Sequence, residues 1–517
     1  MNDPTTGRSA EKDREEENAE EEAEIAADHD VGKYIVDGRD TRYMVGWDGP
    51  DDPANPMNWS SLYRWWLTFF SGLITLNASF SSSAPSGVIG SIGDDFGFGS
   101  IVGNLLISVF IAGYCVGPLL WGPASESFGR RPIFIFSFWV YAVFQLACAV
   151  APNTGALLAF RFLGGCFAAS PLTNAGAVLA DIWTAKTRGK AMALFTVAPF
   201  AGPALGPIVS GFIDVSGTSW RYVILFWVLF GFAGACALAI TIILPETYAP
   251  ILLKQKAQRL RKSTGDERWY APVEAIHIPA LERASGILLR PWKILFLEPM
   301  LLAITIYTSF IYGVLYLCFE AFPIIYVDGH NFNIGVDGLT FLPLFIGGAI
   351  GCLMVLFYYN PQYSKLVDEY KPNPVPPEAR LPMGVVGSIA FTISLFWIAW
   401  SSYPGVNYWV PIIGSLPLGV SITLIFLCLI NYIVDVYLQV AASALAANTV
   451  VRSSFGAGFP LFAPTMYHRL NPRWATTLLG FIALLMVPIP VLFIRYGPYL
   501  RSKSRFSPTA KKTGVVL

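Results

Sequence analysis

Three charged residues, Arg161, Glu320 and Arg452, stand inside long apolar runs of a 517-residue chain. Charged side chains are costly in hydrocarbon, and those that persist there face a cavity, a partner or a passing ion. Glu320 is the one acid in such a run, and none of the four histidines (His29, His277, His330, His468) shares that setting. A carboxyl that alternates between dry and wet surroundings can load and release a proton. The alternatives are a permanent salt bridge, or an opening to water near the end of its run. Arg161 and Arg452 cannot realistically deprotonate, so their expected role is to tune or bind an acid through charge. Thr308, Tyr312, Tyr316 and Glu320 recur every four residues and share one helix face. A phenol-lined face ending in an acid suits a large, partly aromatic ligand, with plain packing as the competing reading. Asn77, Ser79, Ser81, Ser82 and Ser83 make the end of the first run polar, either as hydrogen-bonding glue between helices or as cavity lining. Asn448 precedes Arg452 by four residues and is grouped with it, Asn77, Ser81, Tyr312, Tyr316 and Glu320 as a candidate substrate cavity.

The elements that must position these residues are membrane helices. The chain is 54% hydrophobic and only 14% charged, too apolar for an ordinary soluble enzyme. Apolar runs recur at 65–87, 101–121, 133–150, 156–180, 190–213 and 221–244, and again at 300–327, 338–359, 382–401, 408–433, 441–464 and 474–495. Each approaches the roughly 20 residues that span a bilayer. Lysines and arginines equal aspartates and glutamates at 35 each, so net charge gives no reason to expect a nucleic-acid partner. Their placement matters more. Arg130, Arg131, Lys186, Arg188, Lys190, Lys365, Lys371 and Arg380 fall in loops on one side, against Arg221, Arg469 and Arg473 on the other. The positive-inside rule then puts both termini in the cytoplasm. The seven cysteines all lie in apolar runs, which argues for free thiols. The first run begins behind an acidic segment, so no cleavable signal peptide is expected.

The expected organisation is an acidic cytoplasmic tail that is largely disordered and then surface-lying (1–63), a first bundle (64–244), a linker with a basic amphipathic helix on the inner leaflet (245–299), a second bundle (300–497) and a basic tail (498–517). Asp181 and Pro207 in the first half are echoed by Asp435 and Pro460 in the second. Such an echo is what two related bundles leave in sequence.

Between the second and third runs stands Gly122-Pro123-Ala124-Ser125-Glu126-Ser127-Phe128-Gly129-Arg130-Arg131-Pro132. Its glycines allow a sharp reversal, and its spacing resembles the signature loop of the major facilitator superfamily. Glu126 stands where most of that family has aspartate, and Ser127 where a basic residue is common. Arg161-Phe162-Leu163-Gly164-Gly165 resembles the family's span-four arginine motif, which implicates Arg161 in proton coupling. Gly202-Pro203-Ala204-Leu205-Gly206-Pro207-Ile208-Val209-Ser210-Gly211 is similar to the antiporter motif of its exporters. The lead-in Val45–Ser60, Pro245–Pro250 and Ala441–Pro464 resemble fungal twelve-span drug:proton antiporters.

The resemblance implies an all-α integral membrane protein with twelve transmembrane helices in two pseudo-symmetric six-helix bundles. It implies alternating access, with protons driving export of a small amphipathic drug, toxin or metabolite. Proton coupling is assigned to Glu320, Arg161 and Asp181, and a conformational latch to Gly122, Glu126, Gly129, Arg130 and Arg131. Glu126 is expected beside the start of span eleven. A monomer in contact with lipid is expected, in the plasma membrane or alternatively the vacuolar membrane, with no cofactor or metal. No Walker lysine loop points to ATP. The rivals are an importer of the same fold, such as a sugar porter, and a sensor that binds without transport. A membrane enzyme would need paired catalytic groups inside the spans, and none is evident.

Overall fold

The computed structural model describes residues 41–217, 225–275, 280–371 and 375–506. Most of the acidic tail (1–40), Arg221, His277 and the end of the basic tail (507–517) lie outside the described residues. Among the described residues, ten stretches are long and apolar enough to cross a membrane. The first crossing, α1 (Ser61–Ser83), is not among them, because its serine-rich end dilutes its hydropathy. It is followed by α2 (Ser100–Phe128), α3 (Arg130–Ala149), α4 (Thr154–Ile182), α5 (Val197–Val215) and α6 (Leu225–Ile243). The second half holds α7 (Pro299–Phe322), α8 (Leu342–Met354) with a short lead-in helix Ile334–Leu339, α9 (Leu381–Ser401) and α10 (Trp409–Val436). The last apolar stretch, Ala441–Lys503, is 63 residues long, far more than the roughly 20 that one crossing needs and enough for two. It breaks at Asn471 (φ 62°, ψ 154°), where Pro472 disfavours a helical residue before it. The two pieces are α11 (residues 441–470) and α12 (from residue 472), consistent with twelve crossings.

Ile242, Phe357 and Leu485 are 71%, 77% and 79% exposed. Apolar exposure of that extent around the circumference fits a hydrocarbon medium. The interior is packed from Leu, Ile, Phe and Tyr within each half.

The loop between α2 and α3 defines one face of the molecule, called here the loop face; the opposite side is the far face. Gly122 lies within α2, which runs on to Phe128. The expectation that both glycines shape a loop is therefore corrected: the reversal is made at Gly129 alone (φ 98°), a conformation that glycine adopts without steric cost. A Cβ there would also sit 2.4 Å from Glu246 Oε2.

On the loop face the linker helix Ala249–Thr264 carries the expected basic residues. Lys256 pairs with Asp48 at 2.6 Å and donates to the Gly46 carbonyl, and Val45, Ala257 and Ala271 form a small apolar cluster. The lead-in segment is thus docked on this helix by both charge and burial.

Candidate functional site

The candidate residues meet where the two halves face each other. Arg452 lies 11 residues into α11, about 17 Å along its axis, near the middle of a bilayer about 30 Å thick. Its guanidinium carbon sits 5.0 Å from the Tyr312 ring centre and 5.5 Å from that of Phe426. Tyr312 and Tyr316 pack with ring centres 4.9 Å apart and hydroxyls 3.4 Å apart. Tyr316 then crosses to the first half, its hydroxyl 2.9 Å from Ser82 Oγ. Ile111 of α2 and Gly456 of α11 close around Tyr312, and Phe200 of α5 meets Phe426 edge-on, ring centres 5.4 Å apart. Every aromatic member of this group comes from the second half except Phe200, and all rest on helices that cross the full membrane.

The four-residue stripe on α7 is real, and its members have separate tasks. Thr308 accepts from Asn448 Nδ2 at 2.8 Å. Tyr312 and Tyr316 occupy the junction. Glu320, one turn beyond, interacts with Asn104 of α2, while its Oε1 is buried with no partner. Asn104 also donates to the Pro460 carbonyl across the halves at 3.2 Å.

Arg161 is fully buried and donates to the carbonyls of Leu106, Ser81 and Ser82 at 2.9–3.3 Å, with its carbon 4.1 Å from the Phe110 ring centre. The expectation that it binds or tunes an acid is corrected: main-chain oxygens at the polar end of α1 and on α2 take its donors and tie those two helices to α4. Ser81 is bonded to Tyr141 inside the first bundle, and Asn77 donates to Cys236 Sγ of α6 at 3.7 Å. Asn448 is bonded to Thr305 and Thr308 of its own half. The hydrogen bonds of these three stay within their own halves, and Ser82 is the member of the serine run that reaches the other half.

Asp181, expected as a proton carrier, stands among the charged groups of the loop face. It pairs with Arg130 Nε at 3.2 Å and accepts from Thr247 Oγ1 at 3.1 Å. Arg130 also donates to Ser125 Oγ at 2.6 Å and stacks on Tyr248. Glu246 accepts from the main-chain N–H groups of Arg130 and Arg131 at 2.9 and 3.2 Å, an anion capping the N-terminus of α3. Arg131 bonds the Thr241 carbonyl. Glu126 is exposed and has no hydrogen bond or ion pair among the described residues. Its expected contact with the start of span eleven is absent from this conformation. The second half repeats the theme with Arg380–Asp435 at 2.5 Å and Arg501–Glu378 at 2.8 Å.

The antiporter segment works through two faces of α5. Alanine methyls at Gly202 and Gly206 would approach Ser79 and Ser83 of α1 to 2.1 and 2.0 Å. One at Gly211 would approach the Ile334 carbonyl oxygen to 2.5 Å, and the Pro207 carbonyl lies 2.6 Å from where a methyl on Gly338 would sit. Pro203 is buried with them. Backbones touch on both sides because no side chain intervenes. The Gly211 and Gly338 contacts, with Ser82–Tyr316 and Asn104–Pro460, join the two halves toward the far face.

Asp337 is a buried acid that the sequence reading placed just outside span eight. The crossing begins earlier, at Ile334, so the description of Glu320 as the sole intramembrane acid is corrected. Asp337 is 4% exposed with Oδ1 unpartnered. It borders a void of about 10 Å³ between Ser86, Gly87 and Pro207 of one half and Phe319 and Pro323 of the other, barely room for one water.

The sequence matches the profile described as Major Facilitator Superfamily over residues 71–460. The chain belongs to this superfamily. It is 42% identical over 471 residues to the "MFS-type efflux pump MFS2" of Trichophyton rubrum, covering 90% of this chain and 78% of that one. It is 40% identical to the "Citrinin biosynthesis cluster MFS transporter mrr1" of Monascus ruber (90% and 93% covered) and 41% identical to the "Major facilitator superfamily multidrug transporter mdrA" of Aspergillus fumigatus (90% and 76%). Among solved structures, the human organic anion transporter MFSD10 aligns with a TM-score of 0.58 at 17% identity, over 85% of this chain and 99% of that one. The Escherichia coli xylose transporter XylE aligns at 0.57 and 15%, covering 84% and 98%. Both structural likenesses concern the superfamily fold alone.

Sequence reasoning missed Glu246, Phe426 and Asp337 as members of these sites, and named Ser82 only as one of a polar run. Glu246 carried one usable signal, an acid directly after the sixth run, at the loop-face end of its helix. Phe426 carried none, since nothing separates it from the other aromatic residues of α10.

Proposed function

We propose that this protein is a proton-coupled secondary transporter that exports amphipathic small molecules, drugs or secondary metabolites, by alternating access. The observation that carries this reading is the junction itself: Tyr312, Tyr316, Phe426 and Arg452 converge at mid-membrane beneath a far face held shut by contacts between the halves. The relatives named as efflux pumps and multidrug transporters supply the direction. The loop face is cytoplasmic in this proposal, with both termini inside, in keeping with the loop charges. The substrate enters from that face, rests against the aromatic junction, and leaves when the far-face contacts part.

Glu320 is the proposed proton carrier. It is buried, incompletely paired, and placed where the halves separate, so opening the far face would expose it to water. Asp337 is the second acid with those attributes. Arg130, Asp181 and Glu246 form the proposed loop-face latch. The division into bundles at residues 64–244 and 300–497 is the corresponding proposal for the moving bodies.

The test uses the purified protein in proteoliposomes, with the cationic dye rhodamine 6G and the anionic dye fluorescein each tried as probe. The expected result is uphill flux under a pH gradient and counterflow without one, with Glu320→Gln losing the first and keeping the second. Full pH-driven flux in Glu320→Gln removes that residue from coupling, and absence of any flux in the native protein removes the transport reading.

A further inference from the structure

The two arginines in the membrane are treated very differently by their surroundings. Arg161 gives its donors to three main-chain carbonyls. Arg452 has no hydrogen bond and no ion pair among the described residues, and its Nε is buried without a partner. Its visible company is two rings, Tyr312 and Phe426. Glu320, the acid on the same stripe, is taken up with Asn104 near the far face. Arg452 is therefore a permanent charge at mid-membrane without a counter-ion.

Ring faces offset part of the cost of such a charge, yet they leave the edges of the guanidinium free. Those edges carry five N–H donors in a planar fork, matched in shape to a carboxylate. A cation arriving here meets repulsion, and a neutral ligand leaves the donors unmet. A carboxylate satisfies both charge and donors, while Tyr312, Tyr316 and Phe426 offer ring faces to the body of the same molecule.

We propose that the transported substrate is an aromatic organic acid whose carboxylate pairs with Arg452. This rests on the transport reading above and names the chemical class that its site takes. Arg452 then recognises the substrate rather than the proton, and binding of the anion removes the one uncompensated charge of the junction.

The test compares 2-naphthoate with 2-naphthamide, which share a ring and differ in charge, by calorimetry on the purified full chain in nanodiscs. Naphthoate is expected to bind at least about tenfold more tightly than the amide. Arg452→Gln should lose that advantage and leave amide binding unchanged, and Arg452→Lys should retain most of it, which separates recognition from misfolding. Equal binding of acid and amide to the native protein, equal loss of both in Arg452→Gln, or no naphthoate binding overturns the proposal. Rhodamine 6G export without naphthoate binding sinks the organic-acid assignment and leaves the transport reading standing. Naphthoate binding lost in Arg452→Gln, in a protein that moves no solute, sinks the transport reading and leaves the anion site.

Discussion

Gly211→Ala isolates the contact on which closure of the far face depends. The added methyl would sit 2.5 Å from the Ile334 carbonyl oxygen, 3.0 Å from its carbon and 3.1 Å from Gly335 Cα. Ordinary contact begins near 3.4 Å, so α5 and the lead-in helix of α8 must part by roughly an ångström. All three atoms that resist are main chain, with no flexible tip to swing aside. Overpacking of this kind costs about 1–3 kcal/mol. Because the clash lies between halves, the cost falls on the far-face-closed state alone, and the balance shifts toward the open state by a factor of about 5 to 150. Spin labels on cysteines at Asp94 and Gly405, exposed on the far face in opposite halves, would report this by double electron–electron resonance as a new population at longer distance. Gly202→Ala is the contrast: its clash with Ser79 and Phe80 is internal to one half, so it should lower thermal stability without changing the distance distribution. An unchanged distribution in folded Gly211→Ala would refute the closure argument.

The remaining predictions concern the charges. Asp181→Asn leaves Arg130, 7% exposed in its side chain, without its ion pair, and should cost about 3 kcal/mol of stability, whereas Glu126→Gln should leave the melting temperature unchanged; a larger loss in Glu126→Gln would move the latch back to that residue. Asp337→Asn removes a buried acid at the far-face seam and should reduce pH-driven flux while sparing counterflow; native coupling in this variant would assign Asp337 a packing role only. The main-chain N–H groups of Asp48 and Ala54 hold the Asp52 carboxyl below its ordinary value of 3.8. Its contribution to docking of the lead-in is therefore complete above that value and is lost only as pH falls through the lower, folded one. Protection of residues 43–55, exchange divided into its intrinsic rate at each pH, should thus be steady from pH 7 to about 4.5, and Asp52→Asn should lower protection throughout that range.

Length, hydropathy and the glycine-rich motifs determined the all-helical membrane fold, since a helix that satisfies its own backbone in lipid is written locally as an apolar run. Close approach by α5 was legible for the same reason, because a glycine needs no knowledge of its neighbour to be small. Pairing was different. Glu126 and Glu246 are both acids near a helix end, and only the path of the linker decided that Glu246 caps α3. Arg161 and Arg452 are both arginines in apolar runs. The Ser81 and Ser82 carbonyls on α1 and the Leu106 carbonyl on α2 meet one of them, with nothing comparable for the other, because α1 packs against α2 and α4. Asp337 was hidden by a boundary of four residues, which hydropathy averages over and helix geometry does not. Which buried charge is neutralised depends on atoms distant in sequence, and that was decided by the tertiary structure alone.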